Sequence, residues 1–128
     1  MNNFFNTTYA EMLINKGILY FNYLPIAHFD VQVAQHLVAS RLLLQKEQAY
    51  PIFCDMKHFN PPTPQARKYL AVEGSLLTTA IAYFVKSSST KSLLRYFLEV
   101  YPPIVPSAVF TQRQEAINFL KDYVYEQY

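Results

Sequence analysis

Glycine, cysteine and tryptophan are scarce in this chain, and the scarcity excludes several kinds of site. Two of the 128 residues are glycine, Gly17 and Gly74, and none is tryptophan. Because glycine-rich loops that cradle phosphates need more glycine than this, nucleotide-binding loops of that kind are excluded. The single cysteine, Cys54, permits no intramolecular disulfide, and its position in an apolar run is typical of a core side chain.

Long apolar runs and strong charge are also missing. No run approaches the ~20 apolar residues of a membrane span. Residues 1–9 contain neither the basic patch nor the apolar stretch of a signal peptide, so we expect a cytoplasmic protein. Eleven Lys and Arg residues against nine Asp and Glu give a net charge of +2. That charge is too small and too scattered to indicate a nucleic-acid partner.

Apolar side chains, by contrast, are abundant. Hydrophobic residues make up 52% of the chain, and eleven tyrosines and ten phenylalanines are among them. A chain of this length buries roughly two-thirds of its unfolded surface without help from metals or disulfides. We therefore predict one domain over residues 1–128 with a core of its own.

The clearest local signal is a turn at residues 15–17, Asn-Lys-Gly. Gly17 can adopt the positive φ that a tight hairpin turn requires. Aromatic and aliphatic residues are frequent on both sides of the turn, at 9–14 and 18–24. The pattern predicts two antiparallel strands.

Helix and strand signals alternate along the rest of the chain. Asp30 predicts the N-cap of a helix that ends near residue 46. Thr63 and Pro64 predict the start of a second helix, which Gly74 either ends or weakens. Three further strands are predicted, at 50–56, 79–85 and 107–110. A third helix is predicted at 91–101, capped by the turn 87–90. Thr111 and Gln114 predict the capping box of a last helix.

The resulting element order is β-β-α-β-α-β-α-β-α. Strands that alternate with helices imply right-handed crossovers and a largely parallel sheet. We therefore predict an α/β fold with a mixed five-stranded sheet, in which the N-terminal hairpin lies at one edge.

Four stretches carry a resemblance to a known family, and their sequences are YPIFCDM at 50–56, AIAYFV at 80–85, PSAVFT at 106–111 and EAINFL at 115–120. With this element order, the chain resembles the STAS family, the fold of anti-sigma-factor antagonists. It is most similar to the small bacterial proteins described as STAS-like, SpoIIAA-like or CRAL-TRIO-like. Together with the hairpin, the resemblance covers nearly the whole chain and implies a single STAS-like domain.

The chain departs from that family at one important position. In signalling STAS domains a strand ending in Asp is followed by an Asp-Ser-Ser-Gly segment that opens the next helix and contains a phosphorylated serine. The equivalent loop here begins at Asp55, passes His58 and reaches Thr63, with Pro64 where the serine would be. The resemblance thus implies the fold without the phosphorylation switch, and we expect Thr63 to cap the helix.

Catalysis is not expected from the residues present. The histidines His28, His36 and His58 have no partner at metal-ligand spacing, so we predict no metal and no cofactor. Asp55 and His58 could form a general-base dyad at the end of a strand, but no serine or cysteine nucleophile accompanies them. Alternatively, Asp55 accepts backbone N–H groups of the loop 57–60. We predict a protein that is not an enzyme and has no catalytic residues.

Two charged residues fall on apolar helix faces. Arg41 lies in the middle of the first helix's apolar stripe, and Glu73 has a similar place on the second helix. A buried guanidinium must extend to solvent or find a carboxylate, so an Arg41–Glu73 pair is one alternative that the sequence leaves open.

The predicted third helix carries more apolar surface than one sheet contact needs. Its apolar side chains spread over about 200°, whereas packing on a sheet needs little more than 100°. Either neighbouring segments cover the additional apolar surface of this helix, or part of that surface stays exposed as a contact surface. The candidate interface residues are Leu94, Tyr96, Leu98 and Tyr101.

Two classes of function follow. The first is a non-enzymatic regulatory or protein-interaction module that forms a homodimer or binds another protein, as the STAS-like resemblance implies. The second is a binding protein for a small apolar ligand or lipid, since the CRAL-TRIO relatives enclose apolar molecules and the aromatic residues could line a pocket.

Overall fold

A computed structural model describes residues 3–124 of the chain. Within this range it contains one sheet of six strands, four α-helices and one short 3-10 helix. In chain order the elements are β1 (Phe4–Asn6), β2 (Ala10–Asn15), β3 (Ile18–Tyr23), α1 (Val31–Gln45), β4 (Tyr50–Asp55), α2 (Pro64–Val72), the 3-10 helix (Glu73–Ser75), β5 (Thr78–Phe84), α3 (Ser88–Val100), β6 (Ser107–Phe110) and α4 (Arg113–Lys121).

The strands lie side by side in the order in which they occur along the chain. β1, β2 and β3 pair antiparallel, and β3 to β6 pair parallel. The predicted α/β class with a mixed sheet is therefore confirmed.

The predicted number of five strands is wrong, because β1 adds a sixth strand at the edge. Phe4 pairs with Leu13 of β2 in an antiparallel register. Thr7 makes the connection: its hydroxyl accepts hydrogen bonds from the backbone N–H groups of Tyr9 and Ala10, at 3.0 and 3.1 Å. Such a hydroxyl-stabilised turn is a weak sequence signal, and a strand of three residues shows no clear alternation.

The hairpin between β2 and β3 forms at the predicted turn. Lys16 and Gly17 have φ values of 51° and 80°, and Asn15 pairs with Ile18 on either side of them. Two successive positive φ angles match the right-handed twist of the strands that they connect. A Cβ atom on Gly17 would lie 2.5 Å from Cγ1 of Val124, so the turn also needs glycine for lack of space.

The helices divide between the two faces of the sheet. Because β3 to β6 step across the sheet in one direction, right-handed crossovers place α1, α2 and α3 on the same face. The larger buried cluster includes Leu37 of α1, Ala66 of α2 and Leu94 of α3. The smaller cluster, on the opposite face, includes Ala116 and Leu120 of α4.

Two of the predicted helix caps form as expected. The Asp30 carboxylate accepts a hydrogen bond from the Val33 N–H at 3.0 Å, and the Thr63 hydroxyl accepts one from the Ala66 N–H at 3.2 Å. Each satisfies a backbone donor that the first helical turn leaves without a partner. Gly74 lies in the 3-10 helix that follows α2, so α2 ends just before it.

The other two helix starts differ from prediction. Ser87 caps α3 through the N–H of Thr90, and the helix begins at Ser88, ahead of the predicted start at residue 91. The predicted capping box of the last helix does not form: Gln112 occupies the N-cap position, and Gln114 donates to the Asn118 side chain at 2.9 Å. A polar run offers several competing caps, which the spacing of residue types does not rank.

Among residues 3–124, no helix is long and apolar enough to cross a membrane.

Candidate functional site

A cavity of about 120 Å³ lies between the sheet and the three helices on its more heavily covered face. β3, β4 and β5 form its floor, through Phe21, Ile52 and Tyr83 among others. Leu37 of α1 and Leu70 of α2 stand at its sides. Nearly all the lining side chains are apolar or aromatic, which is the usual character of a small-molecule site.

Helix α3 covers the cavity, although most of its residues are not buried. Leu94 is its only buried residue, whereas α1 buries residues along most of its length. Leu94, Phe97 and Leu98 line the cavity from above, and Tyr101 continues the lining beyond the helix end. On this side the cavity is therefore bounded by the side chains of α3 and of Tyr101.

Arg41 is buried at one end of the cavity, with 3% of its surface exposed. Its guanidinium donates to the carbonyl oxygens of Gly74 and Leu76, at 3.1 and 3.0 Å, and to the side-chain oxygen of Gln45. Burial lowers the pKa of Arg41 to about 10, so the group remains cationic at neutral pH.

The alternative of an Arg41–Glu73 ion pair is wrong. Within the part of the chain that the structure describes, the only ion pair is between His28 and Asp30, at 3.8 Å. The carbonyl groups that follow α2 take the place of the expected carboxylate. These carbonyls become available because the 3-10 helix and the turn after it leave them outside a regular hydrogen-bond ladder.

Gln45 extends the same polar network. Its side-chain nitrogen donates to the carbonyl oxygens of Gln48 and Leu77, both at 2.8 Å. Together, Arg41 and Gln45 tie α1 to the connection between α2 and β5. This connection closes one end of the cavity.

A second arginine, Arg67 of α2, also lines the cavity. Its Nη1 donates to the carbonyl oxygen of Pro62 at 3.1 Å. Its Cζ lies 4.4 Å from the ring centre of Phe97 and 6.0 Å from that of Tyr101, within the range of cation–π attraction. Its Nε is buried and has no hydrogen-bond partner among residues 3–124.

Burial keeps Cys54, Tyr23 and Tyr83 of the cavity neutral at physiological pH. Burial raises the pKa of the Cys54 thiol to about 12. Burial also raises the pKa values of Tyr23 and Tyr83 well above their ordinary range. Since the thiolate is the reactive form of cysteine, Cys54 behaves as an inert core side chain.

The predicted switch-loop residues Asp55, His58 and Thr63 do not line the cavity. The Asp55 carboxylate accepts the Lys57 N–H at 3.0 Å, which is the predicted loop hydrogen bond. Asp55 contributes instead to a shallow groove on the α4 face of the sheet, together with Arg113. His58 is exposed and forms no ion pair with Asp55, so the structure does not assemble the general-base dyad.

The four candidate interface residues of the third helix occupy different positions. Leu94 and Leu98 pack inward and line the cavity, and Tyr101 is half-buried beside them. Tyr96 is 61% exposed and lies on the outer side of α3. Part of the apolar surplus is thus covered by the fold, and part of it stays open.

The histidines remain apart. His28 is largely exposed beside Asp30, and the ring of His36 packs edge-on against Tyr9 with ring centres 5.4 Å apart. Among the described residues, no three His, Cys, Asp or Glu side chains come close enough together to hold a metal ion.

A family model for a domain of unknown function (DUF7793) matches residues 12–124. The chain belongs to this family. No curated protein and no solved structure matches the chain. The matched range of DUF7793 contains every strand and helix that encloses the cavity and leaves out β1, so the cavity lies wholly inside the family's domain.

The sequence patterns did not single out Arg67, although it is central to the site. An arginine early in an amphipathic helix is ordinarily solvated, so its residue type gives no signal. Its spacing of three and four residues from Leu70 and Ala71, which also line the cavity, does place it on the same helix face. The helical arithmetic that identified Arg41 would have identified Arg67 as well.

Proposed function

We propose that the chain is a non-enzymatic binding domain that holds a small apolar molecule in the cavity between the sheet and helices α1, α2 and α3. The observation that carries this proposal is the cavity itself, about 120 Å³ in volume and lined by apolar and aromatic side chains. A dry, apolar protein cavity of roughly 150 Å³ binds benzene. The apolar part of the ligand is therefore about the size of one aromatic ring.

The energetic cost of an empty cavity supports a ligand. Apolar surface left open in such a site costs stability, and a bound apolar molecule recovers roughly 25 cal/mol for each Å² that it covers. Protein interiors ordinarily contain few voids larger than a water molecule. The small residues Cys54, Ala71 and Gly74 line the cavity, and larger side chains at these places would reduce it. A site kept open at this cost fits a binding function.

Binding without catalysis fits the chemistry of the lining. The potential nucleophile, Cys54, has a pKa of about 12 and is protonated at neutral pH. The Asp55 carboxylate is engaged with the Lys57 N–H. Neither group is prepared to attack or deprotonate a bound molecule.

The STAS-like relationship is part of this proposal. After β1, the element order is the one on which the resemblance rests, and Asp55 ends β4 ahead of a helix capped by Thr63. Pro64 stands where the signalling domains have their serine. We infer a STAS-like domain in which an internal ligand, in place of phosphorylation, is the regulatory input.

A second candidate function, a protein-interaction module, is favoured by the outer side of α3. Leu93, Tyr96 and Val100 are exposed at helical spacing, and Ile104 is exposed just beyond the helix. Contiguous apolar surface of this kind commonly marks a partner site, including a second copy of the same chain. If α3 mediates a dimer, Tyr96→Glu converts it to a folded monomer in sedimentation.

The ligand site can be tested with a neutral ligand and a variant that fills the cavity. We expect benzyl alcohol to bind wild-type protein and to shift the NMR signals of cavity residues. Ala71→Phe places a ring in the cavity and should abolish this binding. Val72→Phe adds a similar bulk at the next position of α2, which is half exposed and outside the cavity, and should leave binding intact.

Two outcomes would overturn the proposed site. One is the absence of any interaction between benzyl alcohol and the wild-type protein. The other is equal binding by Ala71→Phe and Val72→Phe, with both variants folded by circular dichroism.

A further inference from the structure

The cavity carries positive charge without a matching negative charge. Arg41 and Arg67 both line it, and the lining contains no Asp or Glu. Neither arginine forms an ion pair with a carboxylate among residues 3–124. Because charges interact more strongly in apolar surroundings than in water, two guanidinium groups here favour an anionic group on whatever enters.

The two arginines differ in their remaining capacity to bind. Arg41 already donates to two backbone carbonyls and to Gln45, and these hydrogen bonds account for its burial. Arg67 donates to one carbonyl, that of Pro62, and its buried Nε has no partner in the described part of the chain. Arg67 therefore keeps more unused hydrogen-bonding capacity than Arg41.

The surroundings of Arg67 hold its guanidinium in place for an acceptor. The Arg67 Cζ lies over the Phe97 ring, 4.4 Å from its centre, and the Pro62 carbonyl oxygen accepts a hydrogen bond from Nη1. The remaining nitrogen of the group, Nη2, forms no hydrogen bond to the described residues. A guanidinium group binds a carboxylate through charge-assisted hydrogen bonds.

We propose that the ligand is an amphipathic monoanion, with a carboxylate bound to the guanidinium of Arg67 and an apolar body of about one aromatic ring inside the cavity. The inference rests on the proposed function, since it names the class of ligand for the same cavity. Charge-assisted hydrogen bonds are about twice as strong as neutral ones. An acid should therefore bind more tightly than the neutral alcohol of the same shape.

Benzoate and benzyl alcohol form a matched pair of ligands, and their dissociation constants can be measured by calorimetry on the full chain. We expect wild-type protein to bind benzoate about tenfold or more tightly than benzyl alcohol. Arg67→Gln should reduce the ratio to about one while retaining the alcohol. Arg95→Gln removes the same charge from an exposed position of α3 outside the cavity and should keep the wild-type ratio.

The outcomes separate this inference from the proposed function. If neither ligand binds wild-type protein, the ligand site itself is refuted. If benzyl alcohol binds and benzoate binds no better, or if the preference survives in Arg67→Gln, the site stands and the anionic class is wrong. The wild-type ratio decides the question even if Arg67→Gln fails to fold. In that case Arg67→Lys, which keeps the charge and loses the guanidinium, should show a reduced preference.

Discussion

Leu94 anchors α3 over the cavity, and its truncation tests this arrangement. Leu94 is 4% exposed, whereas its neighbour Leu93 is 43% exposed. Leu94→Ala removes three buried carbon atoms, worth about 2.4 kcal/mol at about 0.8 kcal/mol each. The new space joins the existing cavity and adds roughly 24 cal/mol for each Å³ that does not collapse. We expect Leu94→Ala to lower the free energy of unfolding by about 3 to 4 kcal/mol in total.

The measurement is urea unfolding at pH 7 followed by far-ultraviolet circular dichroism, with Leu93→Ala as the matched control. The control substitution is chemically identical and one position away, and it should cost less than about 1 kcal/mol because Leu93 is exposed and packs against fewer atoms than Leu94 does. A Leu94→Ala protein within about 1 kcal/mol of wild type would refute the placement of α3. So would a Leu93→Ala variant that is equally destabilised.

Three further predictions concern stability and are checked in the same urea assay. Gly17→Ala should cost roughly 2 kcal/mol, because φ is 80° and Val124 leaves no space for a Cβ atom; a neutral result would contradict the turn geometry. Thr63→Ala should cost about 1 kcal/mol and Thr63→Asp almost nothing, since Asp also caps the Ala66 N–H; strong destabilisation by Asp would refute the cap. Unfolding exposes Cys54, whose pKa falls from about 12 to its ordinary value of 9.0. The free energy of unfolding should therefore decline as pH rises above 9, because the thiol ionises in the unfolded chain first. Between pH 7 and 10 the free energy of unfolding of Cys54→Ala should fall by about 1.4 kcal/mol less than that of wild type. Equal losses would contradict the burial of the thiol.

Much of the architecture follows from local signals that involve only a few neighbouring residues. The Asn-Lys-Gly turn and the caps at Asp30 and Thr63 each bring their own hydrogen bond or φ requirement, and each forms where the sequence places it. β1 escaped prediction because its signal is a three-residue strand joined by the Thr7 hydroxyl turn. Short edge elements depend on pairing partners more than on their own pattern.

The site was less predictable, because it depends on contacts between distant elements. Helical spacing placed Arg41 on the inner face of α1, but its partners are carbonyl groups more than thirty positions away, at Gly74 and Leu76. The spacing of residue types along the sequence does not predict which backbone carbonyl groups lack a hydrogen-bond partner in the folded chain. The apolar surplus of α3 was visible in the sequence. The inner apolar side chains of α3 cover a cavity because the helix lies at some distance from the sheet. The sequence of α3 does not determine that distance, since it depends on the packing of the whole fold.

The most direct test of the ligand site locates a bound molecule by NMR. Intermolecular nuclear Overhauser effects between the ring protons of benzyl alcohol and protein methyl groups report contacts within a few ångströms. We expect contacts to the methyl groups of Leu37, Ile81 and Leu94, all of which line the cavity. Contacts confined to the outer residues Leu93 and Val100, or no contacts at saturating benzyl alcohol, would contradict this expectation.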